Sequence, residues 1–224
     1  MESSMAARSA LPPVVQESTP ALIARILREA IADGRFPPGS QLVEQELARE
    51  LNVSRGPLRE AMQRLTQEGL LVGHRNRGLF VMELTEDAVR DMYLAREAVE
   101  CAAVRRIVAT GTGPRAAEAL AVPLAEMRAA APEPNGRAMS EADLHFHELL
   151  VELAGSPRLL GMHRTLLTQI RMSLTGMQGT YGSADARLRE HTEIAEALDA
   201  QDADRADTLL RAHMQDGLER VLGA

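Results

Sequence analysis

Two groups of side chains in this 224-residue chain carry chemistry by their type and spacing. The first lies in the C-terminal half. In ADLHFHELL, Asp143 and His147 stand four residues apart, so a helix stacks them on one face. Leu150, Val151 and Ala154 continue that face, which therefore points into a core. His191 follows Leu188 and precedes Ala195 and Leu198, again on an inward face. His213 shares its side with Ala206, Leu210 and Gly217. Four inward nitrogen or oxygen donors on three helices could hold a divalent metal. Each histidine taken alone reads more readily as a hydrogen-bonded core or surface residue.

The second group is basic and lies earlier. From Ser54 onward, Leu58, Ala61, Met62 and Leu65 repeat at helical spacing, while Arg55, Arg59 and Gln63 form the opposite stripe. An apolar back with arginine and amide in front is the pattern of a recognition helix, whose N-terminal turns enter the major groove. Gly56 allows close backbone approach, and the Ser54 hydroxyl with the free N-terminal amides can hold a phosphate. Arg75 and Arg77 sit in GHRNRG between two short apolar runs, where they could reach phosphate or the minor groove. For an isolated arginine pair, mere solvation of a helix is the blander reading.

These residues need elements to position them. Thr19-Pro20 reads as a helix start, with a capping hydroxyl before proline at the first helical position. Ile23, Leu27 and Ala30/Ile31 give that helix its apolar face, and Gly34 ends it. FPPGSQL turns into an extended piece, a short helix follows over about 44–50, and Asn52-Val53 turn into the helix from Ser54 to about Glu68. Leu70-Leu71-Val72 and Leu79-Phe80-Val81 then read as a β-hairpin. Helix, helix, turn, helix, hairpin is the order of a winged helix-turn-helix. After residue 82 the pattern is helical only, with stretches near 86–109, 115–130, 140–154, 157–175, 184–199 and 202–222. Thr85 caps the first of them, and Glu86 and Asp87 suit its first turn. Short connections imply an antiparallel bundle of six helices, or seven because 111–140 is loosely patterned. The fold class expected is therefore mainly α: residues 1–18 a disordered lead-in, 19–82 the winged helix-turn-helix, and 83–224 the helical bundle.

Composition bounds the function. Hydrophobic residues make up 45% of the chain and aromatic residues 2%, which favours helices over sheets. No apolar run approaches the roughly 20 residues that span a bilayer, and the N-terminus lacks a secretory signal pattern. One cysteine, Cys101, fits a reducing compartment, so the chain reads as cytoplasmic with no membrane partner. The net charge of -7 is unevenly spread. Residues 1–82 hold ten arginines against nine acids, and residues 54–77 hold five against two. There is no lysine, so every basic side chain is a planar fork suited to phosphate and guanine edges.

Along roughly 60 residues the first region, PGSQLVEQELARELNVSRGPLREAMQRLTQEGLL with RGLFV, resembles the reader domain of the GntR superfamily. The resemblance implies that Ser54, Arg55 and Arg59 contact operator DNA with the Arg77-Gly78 wing beside them. Gln45 departs from the pattern, since members often carry a basic contact residue there. In the second region, DLHFH, REHTEIAEAL and QDADRADTLLRAHM resemble the FCD ligand-binding domain of the FadR subfamily. Its metal-binding members use one aspartate and three histidines, which implies Asp143, His147, His191 and His213 as ligands. His145 falls on another face from His147, and His163 and His74 match no ligand motif, so these three read as structural or solvent-facing.

The mixed donor set leaves zinc, nickel and manganese open, with zinc the first expectation because imidazole-rich sites favour zinc or nickel. An open coordination position could take water or an effector carboxylate. Arg96 and Tyr93 on the first bundle helix, with Arg171 in QIRMSL, read as clamps for a small organic acid; ion pairs to Glu100 or other bundle acids are an equal alternative. The function expected is a transcription regulator, repressor or activator, that binds a two-fold related double-stranded operator as a homodimer and responds to a small carboxylate. A metal enzyme in the C-terminal half is the rival class, but no HExxH, nucleophile–base pair or paired catalytic carboxylates are present. A purely structural metal would be compatible with the regulator.

Overall fold

The computed structural model describes residues 17–133, 136–175 and 183–223. The expected lead-in up to residue 16 and the connection at 176–182 lie outside the described residues. Helix α1 (Thr19–Ala32) starts one residue earlier than the sequence pattern placed it, because Ser18 is its cap and accepts from the Ala21 amide at 3.4 Å. Strand β1 (Gln41–Leu42), α2 (Glu44–Glu50) and α3 (Arg55–Gln67) follow, then β2 (Leu71–His74) and β3 (Gly78–Val81). Asn52, at φ 51°, makes the tight turn between α2 and α3, a conformation asparagine tolerates better than most residues.

The extended piece pairs as the third strand of an antiparallel sheet ordered β1-β3-β2. Gln41 lies opposite Phe80, and His74 opposite Gly78. The hairpin strands reach to His74 and Gly78, so the turn itself is only Arg75-Asn76-Arg77. Its tip needs left-handed backbone, which Asn76 at φ 61° and Gly78 at φ 94° supply.

The remaining helices are α4 (Glu86–Ala109), α5 (Gly113–Ala130), α6 (Arg137–Leu153), α7 (Pro157–Thr175), α8 (Ala184–Asp199) and α9 (Ala203–Leu222). Among the described residues the bundle thus has six helices. Within the loosely patterned stretch α5 is a single helix, which carries Pro123 in its interior at the cost of one backbone hydrogen bond, and α6 already begins at Arg137. Side-chain caps start three of them: Thr85 for α4, Ser183 for α8 and Asp202 for α9 each accept from the amide three residues on.

Two hydrophobic clusters form. The larger takes Ile107, Leu120, Met127, Phe146, Leu150, Leu198 and Leu210 from the bundle. The smaller takes Ile23, Leu27 and Ile31 of α1, Leu58, Met62 and Leu65 of α3, and Leu70, Leu71 and Val81 around the hairpin. One more member belongs to neither α1–α3 nor the sheet: Met172, near the C-terminal end of α7, is buried in this smaller cluster. Burying such a side chain is worth about 1.5–3 kcal/mol, so α7 ties the bundle to the reader.

Candidate metal centre and nucleic-acid interface

The inward faces of α6, α8 and α9 bring Asp143, His147, His191 and His213 together, with one ligand atom from each lying within 4.8 Å of the others. The three imidazoles are 0–7% exposed. His147 Nε2 lies 3.1 Å from His213 Nε2 and 3.2 Å from His191 Nε2, and Asp143 Oδ1 is 3.4 Å from His191 Nε2. Tetrahedral zinc–nitrogen bonds of about 2.0–2.1 Å place neighbouring donors ~3.3 Å apart, close to what is seen here.

The opposite nitrogen of each ring fixes the tautomer. His191 Nδ1 donates to the Arg187 carbonyl oxygen at 2.8 Å, which can only accept. His147 Nδ1 donates to Glu100 Oε2 at 2.7 Å, and His213 Nδ1 to Glu190 Oε2 at 2.9 Å. With each proton on Nδ1, three Nε2 lone pairs and a carboxylate oxygen converge on one point. Lone pairs at that spacing repel one another unless a cation or proton lies between them. Burial pushes His147 and His191 down to about 4, and lowers His213 as well, so protons are disfavoured near neutral pH. The donor set fits a divalent ion, and Glu100, Glu190 and the Arg187 carbonyl would then be the outer partners that orient its ligands.

Glu100 is the centre of a second layer. It is fully buried, and burial alone would raise its carboxyl; Arg96, His147 and His163 instead hold it well below the usual range. Arg96 Nε donates to Oε1 at 2.5 Å, and His163 Nε2 donates to the same oxygen at 2.8 Å. Arg96 therefore makes the ion pair that was its alternative reading. Its Nη2, however, is buried with no hydrogen-bond partner among the described residues, and its Cζ lies 5.9 Å from the buried ring of Tyr93.

Arg171 must be removed from that clamp. It is exposed and lines a cleft of about 670 Å³ with Arg25, Arg28 and Arg164, on the side of α7 that meets α1. The buried cation beside the ligands is Arg187, whose Nε lies 3.9 Å from Asp143 Oδ1. Its position four residues before His191 on α8 was a usable signal. His163 also differs in part from its expected role, being wholly buried and joined to the ligand network through Glu100. It sits on the same stripe as Leu159, Leu166, Leu167 and Ile170, which marks an inward residue. His145, half-exposed against Glu126, and His74, exposed with its ring at 83° to Phe80, lie apart from the centre.

On the reader, Ser54, Arg55, Gly56, Arg59 and Gln63 are all exposed along one side of α3, and Leu58, Ala61, Met62 and Leu65 are buried on the other. Ser54 occupies the N-cap position with extended backbone, yet its hydroxyl makes no capping bond to α3. Arg75, Arg77 and Gly78 are exposed on the hairpin. The Arg77 guanidinium rests over Phe80 at 5.3 Å, and its carbonyl accepts from Gln41 Nε2 at 2.6 Å.

Comparison with known proteins accords with both regions. Residues 21–81 match the family of bacterial regulatory proteins described as the gntR family, and residues 91–216 match the FCD domain. The HTH-type transcriptional repressor RspR of Escherichia coli (strain K12) is 30% identical over 89% of this chain and 87% of its own length. The Nta operon transcriptional regulator of Aminobacter aminovorans is 31% identical over 84% of this chain and 87% of its own. A crystal structure of a GntR protein from Rhodococcus sp. RHA1 superposes with a TM-score of 0.75 at 31% identity, covering 93% of this chain and 99% of that one. Among the described residues no helix is long and apolar enough to cross a membrane. The chain belongs to the GntR family of bacterial transcription regulators, pairing a DNA-binding winged helix-turn-helix with an FCD domain, and it is a regulator rather than an enzyme.

Proposed function

We propose that this regulator acts in the cytoplasm as a homodimer on a two-fold related operator, and that a divalent metal with a small carboxylate in the FCD domain sets its operator affinity. The observation that carries the proposal is the convergence of three Nε2 lone pairs and Asp143 while every Nδ1 is engaged elsewhere. Zinc suits this imidazole-rich set best, with nickel or manganese as substitutes. Charge supports the anionic effector. Arg96 is paired with Glu100, Arg187 with Asp143 and Arg220 with half-buried Glu190, so among the described residues a divalent ion would bring positive charge beside acids that already face an arginine. A carboxylate reaching the metal, Arg96 Nη2 and the Tyr93 hydroxyl would supply the missing negative charge.

Ser54, Arg55, Gly56, Arg59 and Gln63 would face the major groove, and Arg75, Arg77 and Gly78 the neighbouring backbone or minor groove. The Ser54 hydroxyl, uncommitted to its own helix, is available to a phosphate. Met162 on α7 is 59% exposed, and with Ala95, Ala98 and Leu159 it lines a cleft edged by Arg64 and Glu68 that a second copy could cover. Communication between the halves would run along α7. His163 takes Glu100 partway along that helix, and Met172 sits in the reader core nine residues later, about 13 Å along the axis. An effector that pulls Arg96 away from Glu100 changes the partner His163 holds, and shifts the arrangement of readers by its differential affinity for the two states. Sign follows from that arrangement; the repressor named among its relatives favours repression here.

The test is DNA binding by the purified protein to its own upstream region, with and without chelator and a panel of small carboxylates. Sequence-specific binding that one acid changes in the metal-loaded protein only is the expected result. Specific binding indifferent to chelator and to every acid would leave the metal a structural role and overturn the effector reading.

A further inference from the structure

A carboxylate stands where DNA should arrive. Glu44, the first residue of α2, accepts at Oε1 from Arg59 Nε of α3 at 2.7 Å, with the arginine side chain 66% exposed and the glutamate 31%. An exposed pair of this kind adds little to folding stability. It also carries an electrostatic penalty for DNA binding, since an acid on the reading face repels phosphates. Glu44 suits the first turn of the short helix α2 only modestly, and general affinity for DNA argues against an acid there.

Geometry gives a reason. A guanidinium has one edge made by Nε and a neighbouring Nη, and an outer edge made by the two Nη groups. Anchoring Nε to Glu44 leaves the outer edge directed off the tip of the side chain. That edge matches the O6 and N7 acceptors of guanine in the major groove. An arginine without such an anchor is long and mobile, and it takes a phosphate as readily as a base. Holding Arg59 in advance lowers the ordering entropy lost on binding and directs the fork toward bases.

We propose that Glu44 is a positioning residue for DNA readout: it holds Arg59 so that the outer guanidinium edge reads a guanine in each half-site. This rests on the reading above that Arg59 enters the major groove. Glu44 thus exchanges some general affinity for sequence discrimination, and the base it specifies is one it does not touch.

The experiment uses the full-length protein and a randomised duplex pool, followed by fluorescence anisotropy on the selected site with each position changed in turn. The wild type is expected to select a guanine in each half-site whose replacement by adenine weakens binding about tenfold or more. Glu44→Gln should reduce that discrimination to roughly threefold or less, while binding to unrelated DNA stays the same or tightens, as expected for loss of a repelling acid. Glu44→Asp, which keeps the charge on a shorter arm, should fall between the two. Circular dichroism melting of each variant shows whether the fold is kept. If Glu44→Gln tightens binding to all sequences equally and keeps the guanine preference, the proposal is wrong. Arg59→Ala separates the two levels. Should it retain the guanine preference, the parent reading of Arg59 fails; should it lose the preference while Glu44→Gln keeps it, only the positioning role fails.

Discussion

In the reader, all eight candidate DNA residues are exposed, and four of them sit on one helix, with Ser54 at its N-cap, backed by its own apolar face. In the FCD domain the four candidate ligands come from three helices, the imidazoles are almost wholly buried, and each ring is oriented by a partner on another helix or on the preceding turn. An exposed site of the first kind can lose a side chain with little structural consequence, because water replaces the contact. A buried one cannot, because each polar group there satisfies another. Mutations in the reader should therefore change binding and leave stability alone, and mutations around the metal should change both.

The largest effect tests the buried side. Changing His191 and His213 together to alanine should lower zinc affinity by more than about a hundredfold, since ligand loss exceeds the roughly 10–100-fold typical of outer partners, and should abolish the zinc-dependent rise in melting temperature. Metal content at the wild-type level by elemental analysis would rule out this ligand set. Next comes Glu100→Gln, which touches no metal. Loss of the charge should weaken zinc binding about 10–100-fold and destabilise the apoprotein by about 3–5 kcal/mol, because Arg96 is left buried without a counter-charge. Denaturant melts unchanged from wild type would show that the second layer is dispensable.

On the exposed side, Arg59→Ala should cost specific operator affinity about 1–3 kcal/mol with the melting temperature unaltered. A drop in stability as large as that of Glu100→Gln would erase the contrast. The smallest effect expected is on pH. In the apoprotein His147 and His191 are held near 4 by burial, whereas an unfolded histidine titrates near 6.5. Between those values the unfolded chain binds more protons, so this stability is complete above about 6.5 and is lost as pH falls toward 4. Apoprotein melts from pH 8 to 5 should show the decline, and zinc should oppose it. Arginine contacts do not titrate in this range, so nonspecific DNA binding should stay level.

The same contrast explains what could be read in the sequence. Helices α3, α4, α6 and α8 announce themselves through apolar residues at 3.6-residue spacing and through caps such as Thr85, all properties of one continuous segment. The reading stripe of α3 and the inward phase of Asp143 and His147 are legible for that reason. The pairing of Arg96 with Glu100 was legible as an i,i+4 contact, but the histidine partners of Glu100 and Glu190 were not, because nothing local to either says which histidine on another helix it will meet. Strand β1, two residues long, leaves no alternation to detect. Arg171 was misplaced because α7 has two neighbours, the bundle and α1. Its apolar positions serve both, and the arginine between Ile170 and Met172 lands at their junction.

Met172 makes the sequence boundary near residue 82 a poor place to cut. An excised reader would fold around an empty socket, and by analogy with large-to-small changes in cores the hole would cost about 2–5 kcal/mol, a large part of what a domain of that size can muster. Native-state hydrogen exchange should find α1 and the end of α7 opening as one cooperative unit. Heat, proteases and ligands would then act on a single foldon that straddles the two halves.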